Sequence, residues 1–120
     1  MRMLSLILIG IVALEHLYFM YLEMFAWTAA KTRRAFGTTA EFAEASKSLA
    51  ANQGLYNGFL SAGLVWSLLQ PDAAFALQTK IFFLACVLVA AIYGGVTVNR
   101  SILLIQGLPA ALALAAVLLA

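Results

Sequence analysis

Long apolar stretches alternate with short polar segments along the chain. Four of them, about residues 3–27, 52–69, 79–98 and 101–120, have close to the roughly 20 mostly apolar residues that a helix needs to cross a bilayer. Gln70-Pro71-Asp72 ends the second stretch, because proline cannot continue the hydrogen-bond ladder of a helix. A tight turn at Asn99-Arg100 joins the third and fourth as antiparallel neighbours. The pattern predicts an all-α integral membrane protein, a bundle of four transmembrane helices in a single membrane domain.

The segment between the first two stretches, residues 28–51, is the polar region of the chain. Thr38-Thr39-Ala40-Glu41 has the T-x-x-E pattern of a capping box, so a helix is expected to begin near Thr39. The apolar residues that follow fall on one side of that helix. We therefore predict a short amphipathic interfacial helix over about residues 39–50, lying on the membrane surface. A solvated connector is the alternative.

Composition also indicates a chain surrounded by lipid. Of the 120 residues, 65% are hydrophobic and 10% are charged, whereas soluble domains are about 45–50% apolar and about a quarter charged. A globule formed by so short a chain cannot hide this excess. Membrane lipids are thus the expected partners. The N-terminal apolar run imitates a signal peptide, but no A-x-A-like site follows it, so we expect a retained first helix.

Several functional classes find no support in the sequence. The net charge of +2 is too small to predict a nucleic-acid partner, and no basic run carries interleaved aromatic residues. No CxxC, HExxH, GxSxG or P-loop pattern is present. One histidine and one cysteine do not predict a metal site, and no cofactor is predicted.

The lysine and arginine residues predict the orientation. With four spans, the first and third connections share one side of the membrane, and they contain Lys31, Arg33, Arg34, Lys47 and Arg100. The opposite side has Arg2 and Lys80. The positive-inside rule then places both connections in the cytoplasm and both termini on the non-cytoplasmic side of the plasma (inner) membrane.

Polar side chains within the predicted spans concentrate in the cytoplasmic half. At about 1.5 Å per residue, Glu15 and His16 lie near the middle of the first span, and Glu23 lies nearer its cytoplasmic end. The other candidate ligand-binding residues lie toward the cytoplasmic ends of the remaining spans: Asn52, Gln53, Tyr56, Asn57, Tyr93 and Gln106. This distribution predicts a polar cavity that opens to the cytoplasm and has Glu15 and His16 at its floor.

Glu15 and His16 are the candidate catalytic residues. A charged side chain at the bilayer centre costs about 3 to more than 10 kcal/mol, so Glu15 is expected to be paired or protonated. Histidine titrates near neutral pH without help from its surroundings, and the two groups together suit proton transfer. Glu23, nearer the interface, is expected to pair with Arg100 or with an arginine of the first connection.

The second span has two stripes at helical spacing. Asn52, Tyr56 and Phe59 share one stripe, which is expected to face the cavity. Gly54 and Gly58 begin the other, a small-xxx-small seam that allows helices to approach closely. In the fourth span, Pro109 removes the helical partner of the Ile105 carbonyl and predicts a kink beside Gln106.

Three motifs carry a resemblance to a known family: EHLYFMYLEMFAW, LAANQGLYNGFLSAGL and RSILLIQGLPA. In these motifs the chain resembles a family of small integral membrane proteins, domain of unknown function 1304, and the resemblance covers nearly the whole chain. It implies a four-helix membrane protein found mainly in bacteria, and it implies no substrate or reaction.

Three functions remain open at this point. The first is binding of a lipid-soluble or amphiphilic small molecule, with acid–base chemistry of the isomerase or epimerase type. The second is a proton-coupled transporter that works as a homodimer or higher oligomer, by analogy of plan with the small multidrug exporters. The third is a structural membrane protein without a ligand. The nearly apolar outer half favours a cavity open on one side, and hence the first.

Overall fold

The computed structural model describes residues 1–120, and all of its secondary structure is helical. The helices, in chain order, are α1 (Arg2–Phe25), α2 (Ala30–Phe36), α3 (Ala40–Leu69), α4 (Ala73–Thr97) and α5 (Arg100–Leu119). The prediction of an all-α protein is confirmed.

Three of these helices, α1, α4 and α5, are long and apolar enough to span a membrane. They coincide with the predicted first, third and fourth spans. Helix α4 begins six residues earlier than predicted, because the Asp72 carboxylate accepts a hydrogen bond from the Phe75 backbone N–H at 2.8 Å and caps the helix there. The outer surfaces carry many large apolar side chains, among them Leu14 (67% exposed) and Phe82 (61% exposed). Such surfaces suit contact with lipid.

Helix α3 differs from the prediction. It is one uninterrupted helix of 30 residues, and it unites the predicted interfacial helix (39–50) with the predicted second span (52–69), so the break expected between them is wrong. No proline or glycine lies between Ala50 and Asn52 to end a helix there. The expected start is confirmed, because the Phe42 N–H donates to Thr39 Oγ1 at 3.1 Å. Helix α3 is not among the three candidate spans.

Helix α2 was not predicted from the sequence. It ends at Gly37, whose φ of 70° is the left-handed conformation that commonly follows a helix. Trp27 holds the connection in place: its ring packs edge-on against Phe36, with ring centroids 4.9 Å apart, and its Nε1 donates to Ser46 Oγ at 3.1 Å.

The chain forms two compact units. The core unit comprises Met1–Leu14 and Leu60–Ala120, and the glutamate unit comprises Glu15–Phe59. Buried aliphatic side chains fill the core unit: Ile9, Val12, Ala13, Leu64, Leu84, Val87, Ala110, Ala113 and Val117. Within it, Ser61 Oγ donates to the Ala13 carbonyl at 2.8 Å, a buried bond from α3 to the backbone of α1.

Helices α4 and α5 form the predicted hairpin. The Asn99 side chain accepts a hydrogen bond from the Ser101 N–H at 2.9 Å and caps α5. A Cβ atom at Gly95 would lie 2.9 Å from the Leu103 Cβ, so glycine is what permits this close approach. Helix α5 contains a π-helical turn over Leu103–Gly107, just before Pro109. The helix is thus irregular at Gln106, where a kink was predicted, and the irregularity is a π-helical turn.

Candidate functional site

The glutamate unit is built on close contact between α1 and α3. A Cβ atom at Gly54 would lie 2.8 Å from Met24 Cγ and 3.0 Å from Glu23 Cβ, and one at Gly58 would lie 2.7 Å from Met20 Sδ. Real Cβ atoms avoid such distances. At Gly54 the neighbours also include the Met20 carbonyl oxygen at 3.1 Å, so a larger side chain there requires α1 to move, whereas at Gly58 the flexible Met20 side chain would have to shift. The predicted small-residue seam is confirmed at Gly54 and Gly58.

This seam brings together two predicted site residues, Glu23 and Asn57. The Asn57 Nδ2 donates to Glu23 Oε1 at 2.5 Å, and the two residues are only 8% and 9% exposed. An arginine partner for Glu23 was expected, and that prediction is wrong. Because Asn57 precedes Gly58 on the seam, its amide lies directly over α1, where it donates a hydrogen bond to the Glu23 carboxyl.

Glu15 and His16 lie two turns before Glu23 on α1, and their burial differs. His16 is fully buried (0% exposed), and its ring packs edge-on against Phe19 with centroids 5.3 Å apart. The Glu15 side chain is 19% exposed. Glu15 Oε1 lies 3.9 Å from His16 Nδ1, beyond hydrogen-bond distance. The two predicted catalytic groups are therefore neighbours, and Glu15 is the more accessible.

The buried part of the Glu15 carboxyl has an unused hydrogen-bonding capacity. Its Oε1 is buried and takes part in no hydrogen bond. An unsatisfied buried acceptor costs about 1–3 kcal/mol. Glu23 does not have this feature, because Asn57 donates to it.

The other predicted site residues of α3 lie outside this contact. Asn52, Gln53 and Tyr56 are exposed, and the Tyr56 ring packs edge-on against the exposed Phe59. The stripe of Asn52 and Tyr56 is therefore not part of the contact between α1 and α3. The glycine seam is the side of α3 that packs, and its close fit turns Asn52 and Tyr56 outward. The buried positions on α3 are Ala43, Ala50, Gly54, Asn57, Ser61, Gly63, Leu64 and Ser67.

Tyr93 and Gln106 belong to the core unit. Tyr93 is 71% exposed and borders a shallow apolar surface on one face of α4. Gln106 is partly buried within the π-helical turn of α5. A hollow of about 700 Å³ lies where α4 ends and α5 begins. Neither the surface beside Tyr93 nor this hollow is lined by Glu15 or His16. No group of three or more His, Cys, Asp or Glu side chains comes together.

Two polar contacts escaped the sequence analysis. The sequence does not predict that Glu23 bonds to Asn57, although both are candidate site residues. The position of Asn57 beside the glycine seam could have indicated that its side chain faces α1. The Ser61 bond to the Ala13 carbonyl had a similar signal, because Ser61 lies four residues after Asn57 on the same face of α3.

Fold and site together describe an all-α protein that has three helices suited to span a membrane, with a buried glutamate, Glu23, and a partly buried one, Glu15, in an apolar helix. The chain belongs to the family described as protein of unknown function (DUF1304), whose family model matches residues 10–118. The expected family is thereby confirmed. Over 116 residues the chain is 40% identical to the uncharacterized protein YpaA of Lactococcus lactis subsp. lactis (strain IL1403), a match that covers 95% of this chain and 96% of that protein. No solved structure matches the chain.

Proposed function

We propose that the protein is embedded in the plasma (inner) membrane and crosses it four times, through α1, α3, α4 and α5. The length of α3 supports a fourth span. Its 30 residues extend about 45 Å, whereas the hydrocarbon core is about 30 Å thick. Its last 20 or so residues can therefore cross while the first turns, with Glu41 and Glu44, project into the cytoplasm. Both termini then lie on the non-cytoplasmic side.

Within this membrane protein, Glu15 binds the polar group of a lipid-soluble or amphiphilic small molecule and exchanges a proton with it. The observation that carries the proposal is the Glu15 carboxyl itself, partly accessible and with a buried oxygen that has no hydrogen bond. A ligand meets the accessible part of this carboxyl, where a proton can be given or taken. Isomerisation and epimerisation are reactions of this type, because they need one proton removed and one returned.

The position of Glu15 defines the kind of ligand. It is the fourteenth of the 24 residues of α1, close to the bilayer centre in the proposed arrangement. A molecule that reaches it from the membrane phase needs an apolar body and at least one polar group. His16 acts as a positioning residue, because its buried ring places Nδ1 3.9 Å from Glu15 Oε1 and limits where that carboxyl can lie.

The experiment that tests this function is recovery of the ligand. Protein purified from its own membranes in mild detergent is extracted with organic solvent, and the extract is compared by mass spectrometry with extracts of Glu15→Gln and Glu44→Gln. We expect an amphiphilic compound that is retained by the wild type and by Glu44→Gln and lost from Glu15→Gln. Identical extracts from all three proteins would contradict the proposal.

A proton-coupled transporter that acts as a homodimer is the second candidate. The outward position of Asn52, Gln53 and Tyr56 on α3 favours it. Polar side chains exposed on a membrane helix are costly unless another helix covers them, and a second copy of α3 would do so. Reconstitution into liposomes that contain a pH-sensitive dye separates the candidates. Substrate-dependent proton flux that Glu15→Gln abolishes would favour the transporter over the enzyme.

A further inference from the structure

Helix α2 concentrates positive charge at the end of the first candidate span. Three of its seven residues, Lys31, Arg33 and Arg34, are basic, and it has no acidic residue. Lys31 and Arg34 are exposed and stand three residues apart, on one side of the helix. Thr32 is buried, and Phe36 packs against Trp27. The helix therefore presents two neighbouring cations on its outer side.

The protein supplies no anion for these two cations. The ion pairs of the structure are His16 with Glu15 and Lys47 with Glu44. Arg33, the third basic residue of α2, has a partner within the protein: its Nε donates to the Thr28 carbonyl at 3.1 Å. Like charges at this spacing destabilise a short helix, and an external anion placed between them removes that cost.

Aromatic residues precede and follow the two cations along the chain and indicate the depth of this segment. Phe25, the last residue of α1, is 71% exposed, and Phe36 is 40% exposed. Trp27 is fixed by its hydrogen bond to Ser46. Aromatic side chains at the end of a spanning helix lie at the level of the lipid headgroups. Lys31 and Arg34 are thereby held where phosphate groups are concentrated.

We propose that Lys31 and Arg34 of α2 bind the headgroup phosphates of anionic phospholipids in the membrane that surrounds the protein. The inference rests on the membrane insertion proposed above and adds a lipid preference to it. Charge complementarity selects anionic over zwitterionic lipids, since juxtamembrane Lys and Arg side chains are each attracted to an anionic surface. Bound in this way, the lipid orders the connection between α1 and α3.

Trp27 offers a reporter for this site. The full-length Trp66→Phe variant, in which Trp27 is the one remaining tryptophan, is placed in phosphatidylcholine nanodiscs. A small fraction of either phosphatidylglycerol or phosphatidylcholine is brominated on its acyl chains near the headgroup. We expect brominated phosphatidylglycerol to quench Trp27 at lower mole fraction than brominated phosphatidylcholine. Lys31→Gln/Arg34→Gln should weaken that preference about ten- to thirtyfold, from roughly one kcal/mol for each cation.

Two matched variants separate charge from folding. Lys31→Arg/Arg34→Lys keeps both charges and should keep the preference, and Lys80→Gln removes a cation outside α2 and should leave it unchanged. If both brominated lipids quench Trp27 equally when Lys31 and Arg34 are unchanged, the lipid preference is wrong, whereas the proposed membrane insertion still stands. Displacement of the lipid by inorganic phosphate at the same concentration also overturns the lipid preference, because the site would then bind free phosphate. Quenching by neither lipid overturns the inference and the proposed membrane insertion together.

Discussion

Asn57 Nδ2 donates to Glu23 Oε1 at 2.5 Å in the buried contact between α1 and α3. This bond satisfies Glu23 and leaves Glu15, two turns away on the same helix, as the glutamate with an unused buried oxygen. The two glutamates of α1 therefore have different surroundings. Glu23 is bonded to a side chain of α3, whereas one oxygen of Glu15 is buried without a hydrogen bond.

The Glu23–Asn57 bond is expected to couple the two residues energetically. A double-mutant cycle with Glu23→Ala and Asn57→Ala, measured by denaturant titration in mild detergent, should give a coupling energy of about 1–2 kcal/mol. Asn52→Ala is the matched control, because Asn52 is exposed on the same helix; it should change the unfolding free energy by less than about 0.5 kcal/mol. Additive effects of the two substitutions would show that the bond contributes nothing.

Substitution by alanine should have opposite effects on stability at Gly54, which lies in the glycine seam, and at Gly10, which lies outside it. Gly54→Ala places a Cβ atom 2.8 Å from Met24 Cγ, whereas nothing lies within 4 Å of the same atom at Gly10. Gly54→Ala should lower the unfolding free energy by about 1–3 kcal/mol. Gly10→Ala should raise it by about 0.5–1 kcal/mol, because alanine loses less backbone entropy in a helix. Equal effects in the same titration would refute the close approach.

The number of membrane spans determines whether the connection that contains α2 and the turn between α4 and α5 lie on the same side of the membrane. If α3 crosses the membrane, the α2 connection and the α4–α5 turn share a side; if only the other three long helices cross, they lie on opposite sides. Ala35→Cys and Val98→Cys test this, since both positions are exposed and Cys86→Ala provides a cysteine-free background. An impermeant thiol reagent should label both cysteines from the cytoplasmic side. Labelling from opposite sides would establish three spans.

Residue spacing could predict the faces of α3 but not which of them is buried. Both stripes were visible in the sequence, one with Asn52 and Tyr56 and the other with Gly54 and Gly58. The sequence assigned Asn52 and Tyr56 to the predicted cavity because their side chains are polar. The structure packs both glycines against α1, because close packing of two helices depends on small side chains. Asn57, next to Gly58, is buried in the same contact and so becomes the partner of Glu23.

Helix boundaries were predictable where a residue imposes one. Pro71 and Asp72 separate α3 from α4, and Thr39 begins α3, as the sequence indicated. The break expected near residue 51 rested on a change in hydropathy, and such a change does not interrupt backbone hydrogen bonds. Helix α2 could have been found from Gly37, whose left-handed conformation ends it.

The central claim is that Glu15, and not Glu23, is the carboxyl of α1 that a molecule from the membrane phase can reach. The direct measurement is modification by an apolar carbodiimide in native membranes, with the adduct located by peptide mass spectrometry. Glu15 should carry the adduct and Glu23 should be protected, because Glu23 is buried and hydrogen-bonded to Asn57. Glu15→Gln should abolish the modification of α1, and Asn57→Ala should expose Glu23 to it. Modification of Glu23 in preference to Glu15 in the wild-type protein would contradict the account.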